Sequence, residues 1–155
     1  MLMTWLYQKF VPIGMILMIL ATVVLASEER GTKEEAQALV ARAIEHYHQV
    51  GREVAFPAFE DSNGEFIDHD LYVFVFGPER KIVAHGGDPE LVVTAASSLS
   101  DVDGVPFGTM FMDEATGEGI WINYKWQDPV SGKVLPKASW VVLFDGYVFG
   151  VGIYR

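Results

Sequence analysis

The chain has 155 residues, half of them hydrophobic, with 21 acidic against 11 basic side chains and a formal net charge of −10. That length predicts one domain with a single core, and the acidic balance excludes nucleic acid as a partner, because phosphate binding needs a basic surface. The absence of cysteine excludes disulfides, thiolate nucleophiles and thiolate metal sites.

Lys9 is the one charge before an apolar run, Phe10–Ala26, which is broken only by Pro12, Gly14 and Thr22 and followed by Glu28 and Glu29. A basic flank, an apolar stretch and then small residues are the layout of an export signal, with Val24 and Ala26 placed for cleavage after Ala26. The run of roughly 17 residues is also about the minimum for a spanning helix. Residues 1–26 therefore read as a signal peptide or an N-terminal signal anchor. Residues 27–155 read as an exported domain, periplasmic or otherwise extracytoplasmic, anchored in the inner membrane by residues 10–26 if that segment is retained. The acidic remainder is repelled by anionic lipid, so only the N-terminal segment meets the membrane.

Thr32–Gly51 is predicted as an amphipathic helix. Thr32 with Glu35 fits a capping box, and Ala36, Leu39, Val40, Ala43, Ile44 and Tyr47 recur on one face. Val54, Ala55 and Ala58 extend the pattern, with a bend or break expected near Pro57. His46 and His48, two apart on a helix, point to different sides and make a poor metal pair. Glu60–Asp70 is a polar turn region marked by Asn63-Gly64. Its acids fail the calcium-loop pattern: aligned on Asp61, Gly64 falls at the fourth place where the sixth is needed.

Leu71–Phe76 and Ile82–His85 read as two strands joined through Gly77–Lys81, and Gly86-Gly87-Asp88-Pro89 ends the second. A short helix is expected within Pro89–Ser98, a loop over Ser97–Gly104, and a helix over Phe107–Thr116 stopped by Gly117. The last third is all strand signal: Ile120–Trp126, a turn at Asp128–Lys133, Pro136–Phe144, a two-residue turn at Asp145-Gly146, and Tyr147–Tyr154. Short turns between strands imply antiparallel pairing. The predicted class is α+β, with a five-stranded antiparallel sheet, a long N-terminal helix and short crossover helices.

Six separated motifs carry a resemblance. They are Asp70-Leu71-Tyr72-Val73-Phe74-Val75, Ala84-His85-Gly86, Asp101-Val102-Asp103-Gly104, Trp121 with Tyr124-Lys125-Trp126, Pro136-Lys137, and Val151-Gly152-Ile153-Tyr154. In this order they resemble the single Cache domain of the second type, from about Thr32 to Arg155. The resemblance implies a PAS-like sheet preceded by a long helix. It also implies an extracytoplasmic sensor of the kind found in bacterial chemoreceptors and histidine kinases, binding small molecules that are often short carboxylates. No second membrane helix or output domain follows the last strand. A stand-alone domain is therefore expected, either a soluble binding component or one that hands its signal to a partner protein.

Lys137 and Lys125 are the candidate anion anchors, each in or beside a strand near large aromatics, where an ammonium can hold a carboxylate by charge-assisted hydrogen bonds. The competing reading is a solvated strand lysine. Tyr72, Phe74, Trp121 and Tyr124 are candidate pocket walls, with core packing as the alternative. Tyr72 and Phe74 share a strand face, which the resemblance makes the ligand side of the sheet. His85 is a candidate carboxylate donor or reporter of external pH, against a structural histidine bonded to a loop. No nucleophile, zinc-protease or phosphate-loop motif is present, so no catalytic residue, metal or cofactor is assigned and the chain reads as a non-enzyme. The expected function is binding of a short organic acid or similar metabolite in signal transduction or chemotaxis. The alternative is an accessory interaction module whose pocket is filled by its own side chains.

Overall fold

The computed structural model describes residues 30–155. The apolar run of residues 10–26, and with it the choice between cleavage and anchoring, lies outside the described residues. Among the described residues no helix is long and apolar enough to cross a membrane.

Helix α1 (Lys33–Val50) opens on the expected capping box. The Thr32 hydroxyl accepts the Glu35 N–H at 3.2 Å, and the Glu35 carboxylate accepts the Thr32 N–H at 2.8 Å. Its buried stripe is Ala36, Leu39, Val40 and Ala43. The break falls at Gly51, not at Pro57, and helix α2 (Arg52–Glu60) contains Pro57 in its interior. Gly51 takes φ 75°, a backbone that glycine adopts without steric cost, so the turn forms there.

The strands are β1 (Ile67–Asp68), β2 (Leu71–Phe76), β3 (Ile82–His85), β4 (Ile120–Gln127), β5 (Val134–Phe144) and β6 (Tyr147–Tyr154). All pairs are antiparallel, in the order β1-β2-β6-β5-β4 with β3 also on β2. The five expected strands are present, and β1, inside the polar stretch before β2, is a sixth. Two residues are too few to carry an alternating pattern. The helix expected within Pro89–Ser98 is two separate 3-10 turns, Pro89–Leu91 and Ala96–Ser98, parted where Val93 takes φ 71°.

The sheet is buried on both sides, which explains why β2 and β6 read as continuous apolar runs. On one side α1 and α2 cover Leu71, Val73, Val75, Phe149, Val151 and Ile153. On the other, the crossover and helix α3 (Phe107–Glu114) cover Phe74, Phe76, Ile82, Ile122, Val141 and Val148. Asp101 pins that crossover to the sheet edge: its carboxylate accepts the N–H groups of Asp103, Val105 and Lys125, each at 2.9 Å. The β5–β6 turn is Asp145-Gly146, both with positive φ, as a two-residue hairpin requires.

Gly150 and Gly152 face the crossover side of β6. A Cβ at Gly150 would strike the Phe74 ring, and one at Gly152 would strike Lys137 Cε and Ser139 Oγ. These glycines let a phenylalanine and a lysine lie flat across the sheet. Gly152→Ala is therefore expected to cost about 1–3 kcal/mol by overpacking and to displace the Lys137 stem. Chemical denaturation measures the cost, and an unchanged midpoint would show that the stem yields freely.

Candidate functional site

Counting back from the β5–β6 turn pairs Lys137 with Tyr154, and the β4–β5 register pairs Lys137 with Tyr124. Three polar-tipped side chains thus stand abreast on the crossover face of neighbouring strands. Tyr72 joins them from β2. The Lys137 ammonium donates to the Tyr72 hydroxyl at 2.5 Å and to the Tyr154 hydroxyl at 3.2 Å. It also lies 4.2 and 4.6 Å from the centroids of those two rings. Tyr154 passes its own proton to the Gln127 carbonyl at 2.7 Å, and Tyr124 shares a hydrogen bond with Ser139 at 3.0 Å.

Lys137 is 2% exposed, which makes it an unusual lysine. Burial pushes its pKa down from the ordinary 10.5 to about 7, against the opposing pull of Asp70 and Asp128. Those two carboxylates are engaged elsewhere, by Arg30. Burial also raises the pKa of Tyr72, Tyr124 and Tyr154, so each remains a neutral phenol. Among the described residues, the lysine has hydroxyl acceptors but no anion within ion-pair distance. A buried cation in that state is costly until an anion reaches it.

His85 stands beside this group, its ring centroid 5.1 Å from that of Tyr72. Its Nδ1 accepts the Asp88 N–H at 2.9 Å, so the neutral imidazole carries its proton on Nε2 as a donor. Burial, then the nearby Lys137 charge, pushes its pKa down to about 3. A value that low leaves the imidazole neutral at ordinary external pH and favours the donor and structural readings over that of a pH reporter.

A polar cleft of about 250 Å³ opens at Tyr72, His85, Asp88, Trp126, Gln127 and Asp128. Tyr72, His85 and Trp126 are also walls of an inner apolar chamber, completed by Phe74, Phe107 and Phe111, with space of about 20 Å³. That is room for roughly one water molecule. The Lys137 ammonium lies one hydroxyl behind the cleft wall, at Tyr72. A larger open cleft of about 550 Å³ lies between α2 and the β2–β3 turn, where Arg52 and Lys81 are offset by Glu53, Glu60 and Glu79. It has no buried charge to recognise a ligand.

The structure thus gathers Tyr72, Phe74, His85, Tyr124 and Lys137, and sends Trp121 and Lys125 elsewhere. Trp121 is on the opposite face of the sheet, beside Trp140 (centroids 5.5 Å apart) and under the Lys33 ammonium at 5.2 Å. The alternation that puts Tyr124 in the site puts Trp121 out of it. Lys125 is at the exposed sheet edge, paired with Asp103 at 2.6 Å. Three contributors were not among the candidate site residues: Trp126 and Tyr154, present in the family motifs, and Ser139. Period-two counting from the Asp145-Gly146 turn would have found Tyr154 opposite Lys137.

Comparison with known proteins agrees with this fold. The model of the family described as single Cache domain 2 matches residues 14–154. A methyl-accepting chemotaxis protein, McpP of Pseudomonas putida, is 29% identical over 90 residues, which cover 56% of this chain and 16% of that protein. Among solved structures, a methyl-accepting chemotaxis protein from Vibrio parahaemolyticus superposes with TM-score 0.66 at 18% identity, covering 79% of this chain and 87% of its own. A structure described as the basis for carboxylic acid recognition by a Cache chemosensory domain gives TM-score 0.60 at 23% identity, covering 78% of this chain and 91% of its own. The periplasmic sensor domain of a chemotaxis protein gives 0.56 at 24%, covering 78% and 88%.

Proposed function

This chain belongs to the single Cache domain 2 family, and on that premise we propose that it binds a short monocarboxylate at Lys137, outside the cytoplasm, as the sensory part of a signalling pathway. One observation carries the reading: a buried lysine, one hydroxyl behind an open cleft, with no anion among the described residues within ion-pair distance. A ligand carboxylate supplies the contact partner that Asp70 and Asp128, held by Arg30, do not give the ammonium. In this reading it replaces the tyrosine oxygens as the principal acceptor of the ammonium, and the Tyr72 hydroxyl and His85 Nε2–H donate to its oxygens. The Cache neighbour whose description names carboxylic acid recognition accords with this chemistry.

One buried cation favours one carboxylate over two. The aromatic chamber beyond the cleft favours a short apolar tail of roughly two to four carbons, entering as the rings give way. A signalling partner protein and membrane attachment through residues 10–26 complete the proposal. The near-closed chamber favours a second reading, an interaction module filled by its own aromatics.

Thermal-shift and calorimetric titration with acetate, propionate, lactate, succinate and alkylamines separates the two. Monocarboxylates are expected to raise the melting temperature, with dicarboxylates and amines weaker or silent. A panel that moves nothing supports the filled module instead. Trp121→Ala is a control for the geometry. It is expected to lower stability by about 1–2 kcal/mol and to change monocarboxylate affinity by less than about twofold. A large loss of affinity would place the site on the other face of the sheet.

A further inference from the structure

Arg30 stands just ahead of α1. Its guanidinium holds Asp128 through two bonds of 2.7 and 2.9 Å and reaches Asp70 at 3.1 Å. Asp70 also accepts the Gly31 N–H at 2.7 Å. The chain entering α1 is thereby tied at once to the start of β2 and to the turn after β4. Both carboxylates are buried, Asp128 completely. The guanidinium, acting first through its hydrogen bonds, holds the Asp128 carboxyl well below the usual range.

This clasp meets the ligand site at one residue, Tyr154, through its ring and its hydroxyl. The Arg30 guanidinium is 5.9 Å from the Tyr154 centroid, and the Lys137 ammonium is 4.6 Å from the same centroid. The Tyr154 hydroxyl accepts from Lys137 and donates to Gln127, the residue before Asp128. Gln127 and Asp128 also form part of the cleft wall.

We propose that Arg30 is a second determinant of carboxylate affinity, acting through Asp128 and Tyr154, and that filling the Lys137 site and closing the Arg30 clasp are coupled. The inference rests on the carboxylate reading above. Arg30 and Lys137 balance Asp70 and Asp128, so the cluster is neutral before an anion enters. Without Arg30, two buried carboxylates repel that anion uncompensated. Conversely, an anion at Lys137 adds to the pull on Arg30. Linkage makes the two effects equal in free energy. Arg30 follows the apolar run of residues 10–26 within four residues of sequence, so the clasp holds the chain at the point where it enters α1.

The test is calorimetry of the full chain with propionate as probe, beside hydrogen exchange at Gly31 with and without saturating propionate. Arg30→Gln is expected to weaken propionate about tenfold, with Arg30→Lys recovering part of the loss. In the wild type, propionate is expected to slow exchange at Gly31, and Arg30→Gln is expected to abolish that response. A role confined to stability would lower the melting temperature of Arg30→Gln yet leave its affinity unchanged. Should that variant fail to fold, Tyr154→Phe removes the hydroxyl link while keeping the ring and the clasp, and should lose the exchange response. The inference is overturned if Arg30→Gln binds propionate within about twofold of wild type, or if Gly31 exchange ignores propionate. In those cases wild-type binding still stands and the carboxylate reading survives. A wild type that binds no monocarboxylate removes both.

Discussion

Lys137→Met is expected to abolish monocarboxylate binding while leaving the unliganded protein at least as stable as the wild type. The two effects have opposite signs because they concern different partners. In the free protein the ammonium is buried among neutral phenols, with its nearest carboxylates held by Arg30. Exchanging such a charge for an apolar chain of similar volume is neutral or stabilising, here by up to about 2 kcal/mol. In the proposed complex the same charge is the ligand's counter-ion. Removing one member of a buried, hydrogen-bonded charge pair costs about 2–5 kcal/mol, a loss of at least about thirtyfold in affinity. Calorimetry with propionate and denaturant melts of the same samples read both quantities. If the variant binds as tightly as wild type, the anchor is misplaced. A collapse in stability would mean that the ammonium is held by the protein's own acceptors rather than kept for a ligand.

Binding should also weaken with rising pH across the neutral range, and unliganded stability should move the other way. Burial sets the Lys137 pKa at about 7, below the ordinary 10.5. Under pH 7 the site is already charged, and affinity is expected to be flat. Above it the anion must bring a proton with it, so each pH unit costs up to about tenfold. For folding, the depressed value means that the unfolded chain holds the extra proton between about pH 7 and 10.5, so unliganded stability rises with pH across that window. The full interval corresponds to on the order of 5 kcal/mol. The raised tyrosine values oppose the gain once unfolded tyrosines begin to ionise, near pH 10, so the clean range is about pH 6 to 9. His85, held near 3 in the folded chain against the ordinary 6.5, adds a rise of its own below about pH 7.5, so the stability slope is assigned to Lys137 from there upward. Titrations and melts over that range check both slopes, and Lys137→Met should flatten each. An affinity constant from pH 6 to 9 would mean that the ligand does not meet a titrating lysine.

Local signals carried most of the fold because each is decided by nearest neighbours. The capping box at Thr32, the apolar stripe of α1, the Asp145-Gly146 turn and the strands on either side of it are formed by residues close in sequence. The family motifs added the order of the elements. Their spacing also brought Tyr72, Phe74, His85, Tyr124 and Lys137 into consideration, and these share one region of the folded chain.

Three matters waited for the tertiary structure. The first is which face of β4 looks toward the site. Both faces carry aromatics, so alternation divides Trp121 from Tyr124 without saying which is inside. The placement of α1 and of the crossover on opposite sides of the sheet decides it. The second is the state of Lys137. A strand lysine is ordinarily solvated, and only the layers stacked over β5, with Gly152 giving its stem room, bury it and depress its pKa. The third is the Arg30 clasp, whose partners lie 40 and 98 residues away along the chain. The sequence by itself determined the elements and their polarity pattern, because those depend on neighbours a few residues apart. The electrostatics of the site depend on which distant groups are brought together out of water, and only the packed chain decides that.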